Sequence, residues 1–311
     1  MSDWTTKDIP SQRGRLAVIT GASGGLGYET ALALAGAGAN VVLTGRKDAK
    51  GLDALTRIKN IYPDATVSFE NLDLASLAAI AAFAEKFSTE HTSLDLLVNN
   101  GGVMAPPTRQ ATPDGFELQF GTNYLSHFAL TAHLLPLLIK GKAARVVNIS
   151  SSAHTSGAIN FDDLQAERGY APWKYYSQSK LAMLMFAFEL QRHSDTYGWG
   201  LLSNAAHPGL AITNLIANGM GGGLQARIAG LVVPLLGQSA AEGALPQLYA
   251  ATDPAAEPGA YYGPQGFMEM KGPPGKARAS GKALDQAVAG RLWDVSGQLT
   301  GIAHPTIARA A

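Results

Sequence analysis

Tyr176 and Lys180 stand four residues apart in Tyr176-Ser177-Gln178-Ser179-Lys180. On a helix that spacing places both side chains on one face, a turn apart. An isolated phenol, titrating at about 10, is a poor acid–base group at neutral pH. An ammonium beside it stabilises the phenolate and lowers that value, which suits the pair to general acid–base work on an oxygen. A second stretch with chemical potential is Thr20-Gly21-Ala22-Ser23-Gly24-Gly25-Leu26-Gly27. Its glycines allow a sharp turn and close approach of a phosphate to a helix N-terminus. The same residues spell G-x-S-x-G from Gly21 to Gly25, the elbow that would make Ser23 a hydrolytic nucleophile.

The elements around these residues discriminate between the two readings of the turn. Leu16-Ala17-Val18-Ile19 is a short apolar run that suits a strand buried on both faces, and residues 28–35 are good helix formers stopped by Gly36. Strand, glycine turn and helix are the context in which such a turn can hold a dinucleotide, against a turn with no ligand. A hydrolase elbow follows a mid-sheet strand and takes an oxyanion donor from an earlier strand's loop; here no earlier strand is available. Further strand-like runs at 40–44, 66–70, 95–99, 145–149 and 201–206 alternate with helical patterns at 49–62, 76–91, 114–140 and 174–197. Pro136 should kink the third of these helices. Ser239 with Glu242 forms a capping box for another helix, and 259–263 suits a short last strand. Repeated βα units imply an α/β fold, a parallel sheet with helices on both faces, in one domain over 1–311. Ligands of such sheets bind at the strands' carboxyl ends, which gathers Gly21, Gly45, Asp73, Asn99 and Ser150 to Ser152 on one rim. Residues 152–173 and 210–238 are loop-like, and the C-terminal extension 263–311 is expected to be irregular.

Composition excludes several classes. The chain has 311 residues, net charge zero and only 15% charged residues, so nothing favours nucleic acid or an anionic membrane as partner. It has no cysteine, which removes disulfides, thiolate metal sites and a cysteine nucleophile. The polar start, residues 1–13, has no apolar export segment, and the longest apolar run, 228–236, is interrupted by Gly230 and Pro234. A cytoplasmic protein is expected. The seven histidines have no metal-ligand spacing such as H-E-x-x-H, so no metal site is expected.

At the end of the second strand, Thr44-Gly45-Arg46-Lys47 carries no carboxylate for a ribose 2′-hydroxyl. Arg46 and Lys47 suit a 2′-phosphate instead, which favours NADP(H) over NAD(H).

Taken together, the glycine turn, the Tyr-x-x-x-Lys pair and the strand-end serines resemble the short-chain dehydrogenase/reductase family over residues 13–262. The run Val147 to His154, the run Asn123 to Phe128, and Tyr261-Tyr262-Gly263-Pro264 are similar to its branch of retinol dehydrogenases and WW-domain-linked relatives. The resemblance implies a Rossmann-type doubly wound domain, with seven strands in order 3-2-1-4-5-6-7. It implies catalytic roles for Asn123, Ser151, Tyr176 and Lys180. Ser151 is chosen among three consecutive serines; its separation of 25 residues from Tyr176 is like that of the same branch. Cofactor contacts are implied for Gly21, Ser23, Gly24, Gly25, Leu26, Gly27, Arg46, Lys47, Asp73, Leu74, Asn100, Gly101, Gly102, Tyr176, Lys180, Pro208, Gly209 and Thr213. Gly101 stands where the family usually has alanine, which should loosen that loop. The implied reaction is reversible carbonyl reduction: hydride from the nicotinamide, a proton from Tyr176, a hydrogen bond from Ser151, and a water on Asn123 that reconnects Lys180 to solvent. Residues 210–238 would form a substrate lid. Met183, Met185, Phe186 and Phe188 would pack the long helix and contribute to a homodimer or homotetramer. The alternatives are a catalytically idle dinucleotide sensor and the Ser23 hydrolase.

Overall fold

The run Leu16–Ile19 forms β1, with Ala17, Val18 and Ile19 fully buried. The computed structural model describes residues 3–211 and 237–305. After β1 come β2 (Asn40–Gly45), β3 (Val67–Asn71), β4 (Leu96–Asn99), β5 (Arg145–Ile149), β6 (Leu202–Ala206), β7 (Tyr261–Pro264) and β8 (Pro274–Lys276). They form one sheet in the order β3-β2-β1-β4-β5-β6-β7-β8. Every pairing through β7 is parallel, and β8 runs antiparallel to β7. The sheet therefore has one strand more than the seven expected. Gly272-Pro273-Pro274-Gly275-Lys276 reads as loop because proline cannot feed a ladder, yet at a sheet edge no ladder N–H is required of it.

The helices are α1 (Gly25–Gly36), α2 (Asp48–Ile61), α3 (Leu77–Glu90), α4 (Ser126–Ile139), α5 (Pro172–Tyr197), α6 (Ala240–Thr252) and α7 (Gln286–Thr300). Alternate residues of the strands feed two cores, as the pleat requires. Val18, Leu97 and Val146 join side chains of α3, α4 and α5. Ile19, Leu43, Val98 and Val147 join those of α1, α2 and α6. The result is a doubly wound α/β domain in which strand order reverses between β1 and β4. In sheets of this kind ligands bind outside the carboxyl ends of the strands at such a reversal.

Two departures from expectation bear on the site. Residues Phe120–Leu125 form a π turn ahead of α4, with the Ser126 N–H reaching back to the Gly121 carbonyl. The Ser126 hydroxyl takes the Thr122 carbonyl at 2.6 Å, so the insertion leaves no acceptor orphaned there. Pro136 does lie inside α4. The C-terminal extension is not irregular throughout: beyond β8 it forms α7, started by the Asp285 carboxylate on Val288 N and ended by left-handed Gly301. Those caps were legible. The Gly- and Pro-rich stretch before them obscured the pattern.

Candidate functional site

β1 ends in Thr20, whose hydroxyl oxygen accepts the backbone N–H groups of Asn100 and Gly101, each at 2.8 Å. Asn100 Nδ2 returns to the Thr20 carbonyl at 2.8 Å. This cross-link brings the ends of β1 and β4 so close that a Cβ on Gly21 would stand 2.7 Å from Gly101 Cα. A Cβ on Gly27 would stand 2.5 Å from the Gly21 carbonyl oxygen, so this glycine lets α1 seat on the turn. Gly24 is different. It is exposed, it caps α1 with no side-chain bond, and a Cβ there would meet nothing within 4 Å. Unpaired first-turn N–H groups beside unfilled space are what a dinucleotide's phosphates require, so the residues present fit such a group. Ser23 lies over Gly45, and no described histidine hydrogen-bonds to it. The hydrolase arrangement is therefore not formed among the described residues.

A Cβ on Gly101 would lie 2.5 Å from Leu74 Cδ1, so buried Leu74 fills the space an alanine methyl would take, and Thr20 holds the β4 loop. Arg46 and Lys47 are exposed at the end of β2. The Arg46 carbonyl is bonded from below by Asn71 Nδ2, which also donates to Asp48 Oδ1 at 2.7 Å. Asp73 turns one carboxylate oxygen inward to accept Ala75 N at 3.0 Å.

At the end of β5 the three serines part company. The Ser150 hydroxyl is buried and donates to the Lys180 carbonyl at 2.8 Å, Ser152 is exposed, and Ser151 hydrogen-bonds to the Tyr176 phenol. Lys180 Nζ donates to the Ile149 carbonyl at 3.0 Å and lies 5.9 Å from the centre of the Tyr176 ring. Asn123, carried by the π turn, spends its side chain on Val103 N at 2.7 Å, Val103 O at 2.9 Å and Ser179 Oγ at 2.9 Å. It also stands beside Gly102, where a Cβ would be 2.8 Å from Asn123 Oδ1 and 3.8 Å from Lys180 Nζ. Four residues spread over 58 positions of sequence thus converge on one end of the sheet, next to the glycine turn.

Burial dominates the titration of this group. It pushes the Tyr176 phenol up to about 12, with the hydrogen bond to Ser151 opposing it. It pushes Lys180 down to about 8. The lowering of Tyr176 expected from Lys180 is therefore not found in the free chain, where burial raises the phenol and only the hydrogen bond to Ser151 opposes it.

Pro208 and Gly209 follow β6 on the same rim. His207 Nδ1 accepts the Gly209 N–H at 3.2 Å, and its Nε2–H donates to Glu269 Oε2 at 3.0 Å. Thr213 and residues 212–236 of the expected lid lie outside the described residues. Met183, Met185, Phe186 and Phe188 are buried within the chain itself, where Trp293 of α7 stacks on Phe186 with ring centres 5.7 Å apart. Thr20, read from the sequence only as part of the turn, His127, read as a packed or surface residue, and Ser179 are structural members of the site. The only signals were adjacency to Gly21, the four-residue step from Asn123, and the residue before Lys180.

A family model described as short chain dehydrogenase matches residues 15–219, which contain the turn, the serines and the Tyr–Lys pair. The chain belongs to the short-chain dehydrogenase family. Its relatives include the polyprenol dehydrogenase of Mus musculus, 37% identical over 96% of this chain and 88% of that one. Retinol dehydrogenase 12 of Mus musculus is 39% identical over 96% of this chain and 89% of its own. The likeness to the retinol dehydrogenase branch is thus found over the whole sequence and not only in its motifs. Among solved structures, that of an uncharacterised Mycobacterium paratuberculosis protein superposes with a TM-score of 0.81 at 38% identity, covering 98% of this chain and all of that one. In a family of dehydrogenases with this fold, the oxidoreductase class follows. Among the described residues, no helix is long and apolar enough to cross a membrane.

Proposed function

We propose that the protein interconverts an alcohol and its aldehyde or ketone, using NADP(H) in preference to NAD(H). The observation that carries this reading is the meeting of Ser151, Tyr176 and Lys180 at the rim that also holds the open turn at Gly24. Gly21 and Ser23 to Gly27 would hold the dinucleotide's phosphates. Arg46 and Lys47 would hold its 2′-phosphate, Asp73 and Leu74 its adenine, and Asn100 to Gly102 with Pro208, Gly209 and Thr213 its nicotinamide half. Hydride exchange is the chemistry such a group supplies when bound.

The chain's own residues manage the oxygen. Ser151 donates a hydrogen bond to the carbonyl oxygen and stabilises the charge that grows on it. Tyr176, neutral in the free chain because burial disfavours its phenolate, is poised to give that oxygen a proton. Lys180, held by Ile149 O, supports the phenolate left behind and orients the ribose, while Asn123 fixes the loop beneath them. Polyprenol and retinol, for which these relatives are named, are both long apolar primary alcohols, and such alcohols and their aldehydes lead the substrates to test.

The test is NADPH oxidation over a panel of aldehydes and ketones, with Tyr176→Phe as control. Turnover lost in that variant, with dinucleotide binding kept, supports the reductase; binding without turnover in the parent chain would leave the sensor. Arg46→Ala should weaken NADP(H) binding by about tenfold or more, the worth of 1.4 kcal/mol, and leave NAD(H) untouched. Equal losses for both would end the claim of preference.

A further inference from the structure

His127 is fully buried, one helical turn beyond Asn123. Its Nδ1 lies 2.9 Å from the Asn123 backbone carbonyl oxygen. A carbonyl can only accept, so Nδ1 carries the ring proton. Its Nε2 lies 2.9 Å from Thr20 Oγ1. That hydroxyl already accepts two N–H groups, from Asn100 and Gly101, and has one proton to give. The other acceptor within reach, Val98 O, is 3.3 Å away and already takes Thr20's own N–H at 3.0 Å. Nε2, unprotonated in this tautomer, is the better acceptor. Burial keeps the ring neutral, pushing its pKa down to about 4, with the Lys180 charge acting in the same direction.

Both ends of this bridge lead to machinery. At one end Thr20 fixes the turn at Gly21 against the β4 loop. At the other, Asn123 clamps Val103 and Ser179, the residue that precedes Lys180. We infer that His127 is a positioning residue whose neutral ring ties the dinucleotide turn at Thr20 to the turn that carries Asn123. Cofactor binding and proton handling then share one support. The inference rests on the function proposed above for its kinetic consequences, but the bridge itself does not. The ring is walled off from substrate and solvent, and the hydrogen-bond chain ends at the β4 loop, so it orients and does not relay protons.

Asparagine at 127 can present its amide N–H near the place of Nδ1 and keep the bond to Asn123, while leaving Thr20 without its acceptor. Glutamine, one carbon longer, can present its amide oxygen near the place of Nε2 and keep the bond to Thr20. One buried hydrogen bond corresponds to about a 3- to 10-fold effect. His127→Asn should therefore weaken NADPH binding, read by quenching of protein fluorescence, by that factor with a smaller fall in kcat. His127→Gln should lower kcat by that factor with a smaller change in NADPH affinity. This split supports the tie; parallel losses that follow the drop in Tm, a reversed split, or no loss in either variant overturn it. Tyr176→Phe, run alongside, judges the reductase reading separately, because retained turnover there removes that reading and leaves the affinity arm intact. Long-range proton–nitrogen NMR of the parent chain reads the tautomer without any variant. Nδ1–H is expected for His127, and Nε2–H would overturn the bridge.

Discussion

The Ser151 hydroxyl hydrogen-bonds to the Tyr176 phenol, whereas Ser150, its neighbour, gives its own hydroxyl to the Lys180 carbonyl at 2.8 Å. Alternation along an extended backbone sends successive side chains to opposite sides, so only one of the two can face the cleft. Ser151→Ala should lower kcat by about 100- to 1,000-fold, the range for loss of one donor to a developing oxyanion. Ser150→Ala should instead cost about 1 kcal/mol of stability, and Ser152→Ala should change neither. Steady-state rates beside denaturant unfolding of the three variants separate these outcomes. A larger kinetic loss at Ser150 than at Ser151 would reverse the assignment.

Gly24 and Gly27 should respond to alanine in opposite ways. At Gly27 the new methyl would press on fixed backbone, 2.5 Å from Gly21 O, and overpacking of this kind costs about 1–3 kcal/mol. At Gly24 it would enter open space from extended backbone, so Tm should hold while NADPH affinity drops by about tenfold. Thermal melts and binding titrations on the two variants check this. Unchanged affinity in Gly24→Ala would show that no phosphate lies there.

Stability should fall in acid because of buried neutral histidines. Burial lowers His127 to about 4, His207 to about 4 and His304 to about 3. Between the ordinary value near 6.5 and about 4, the unfolded chain binds these protons and the folded chain does not, so each group removes about 1.4 kcal/mol per pH unit on acidification. Lys180 acts on the alkaline side. Its folded value of about 8 lies below the usual 10.5, so the cost of burying its charge is relieved as pH rises through that window. Above about 10 the raised Tyr176 works the other way, since the unfolded chain then loses its proton first. Urea midpoints from pH 4 to 10 should rise, with His304→Phe shallowing the acid limb. The stability gap between Lys180→Met and the parent should close from pH 8 to 10; a constant gap would mean that Lys180 titrates normally.

Met183, Met185, Phe186 and Phe188 of α5, expected to contribute to an oligomer, are buried, and the chain's own α7 packs on Phe186. Trp293 stacks on His193 at 4.2 Å between ring centres, and Tyr124 reaches Ser296 Oγ at 2.7 Å. The edge strand β8 is three residues long and bears proline and lysine, features that oppose edge pairing. Light scattering should therefore find a monomer of 32.5 kDa. A Leu292→Asp/Trp293→Asp variant should self-associate by baring Phe128 and Phe186. A parent dimer cross-linked through α5 would contradict this.

The sequence by itself determined the α/β alternation, the glycine turn between β1 and α1, and the Tyr–Lys pair. Each of these depends on residues within about one helical turn, or on an apolar run no longer than a strand, and local geometry suffices to place them. It also held the caps of α7, hidden behind prolines that read as loop. Only the tertiary structure decided which serine meets Tyr176, that Leu74 fills the space left by Gly101, and that His127 joins Thr20 to Asn123. It alone placed α7 against α5. The reason is physical: those relations bridge strand ends and helices far apart in the chain, and burial, which no short window reports, sets both their hydrogen bonds and the protonation of Tyr176 and Lys180.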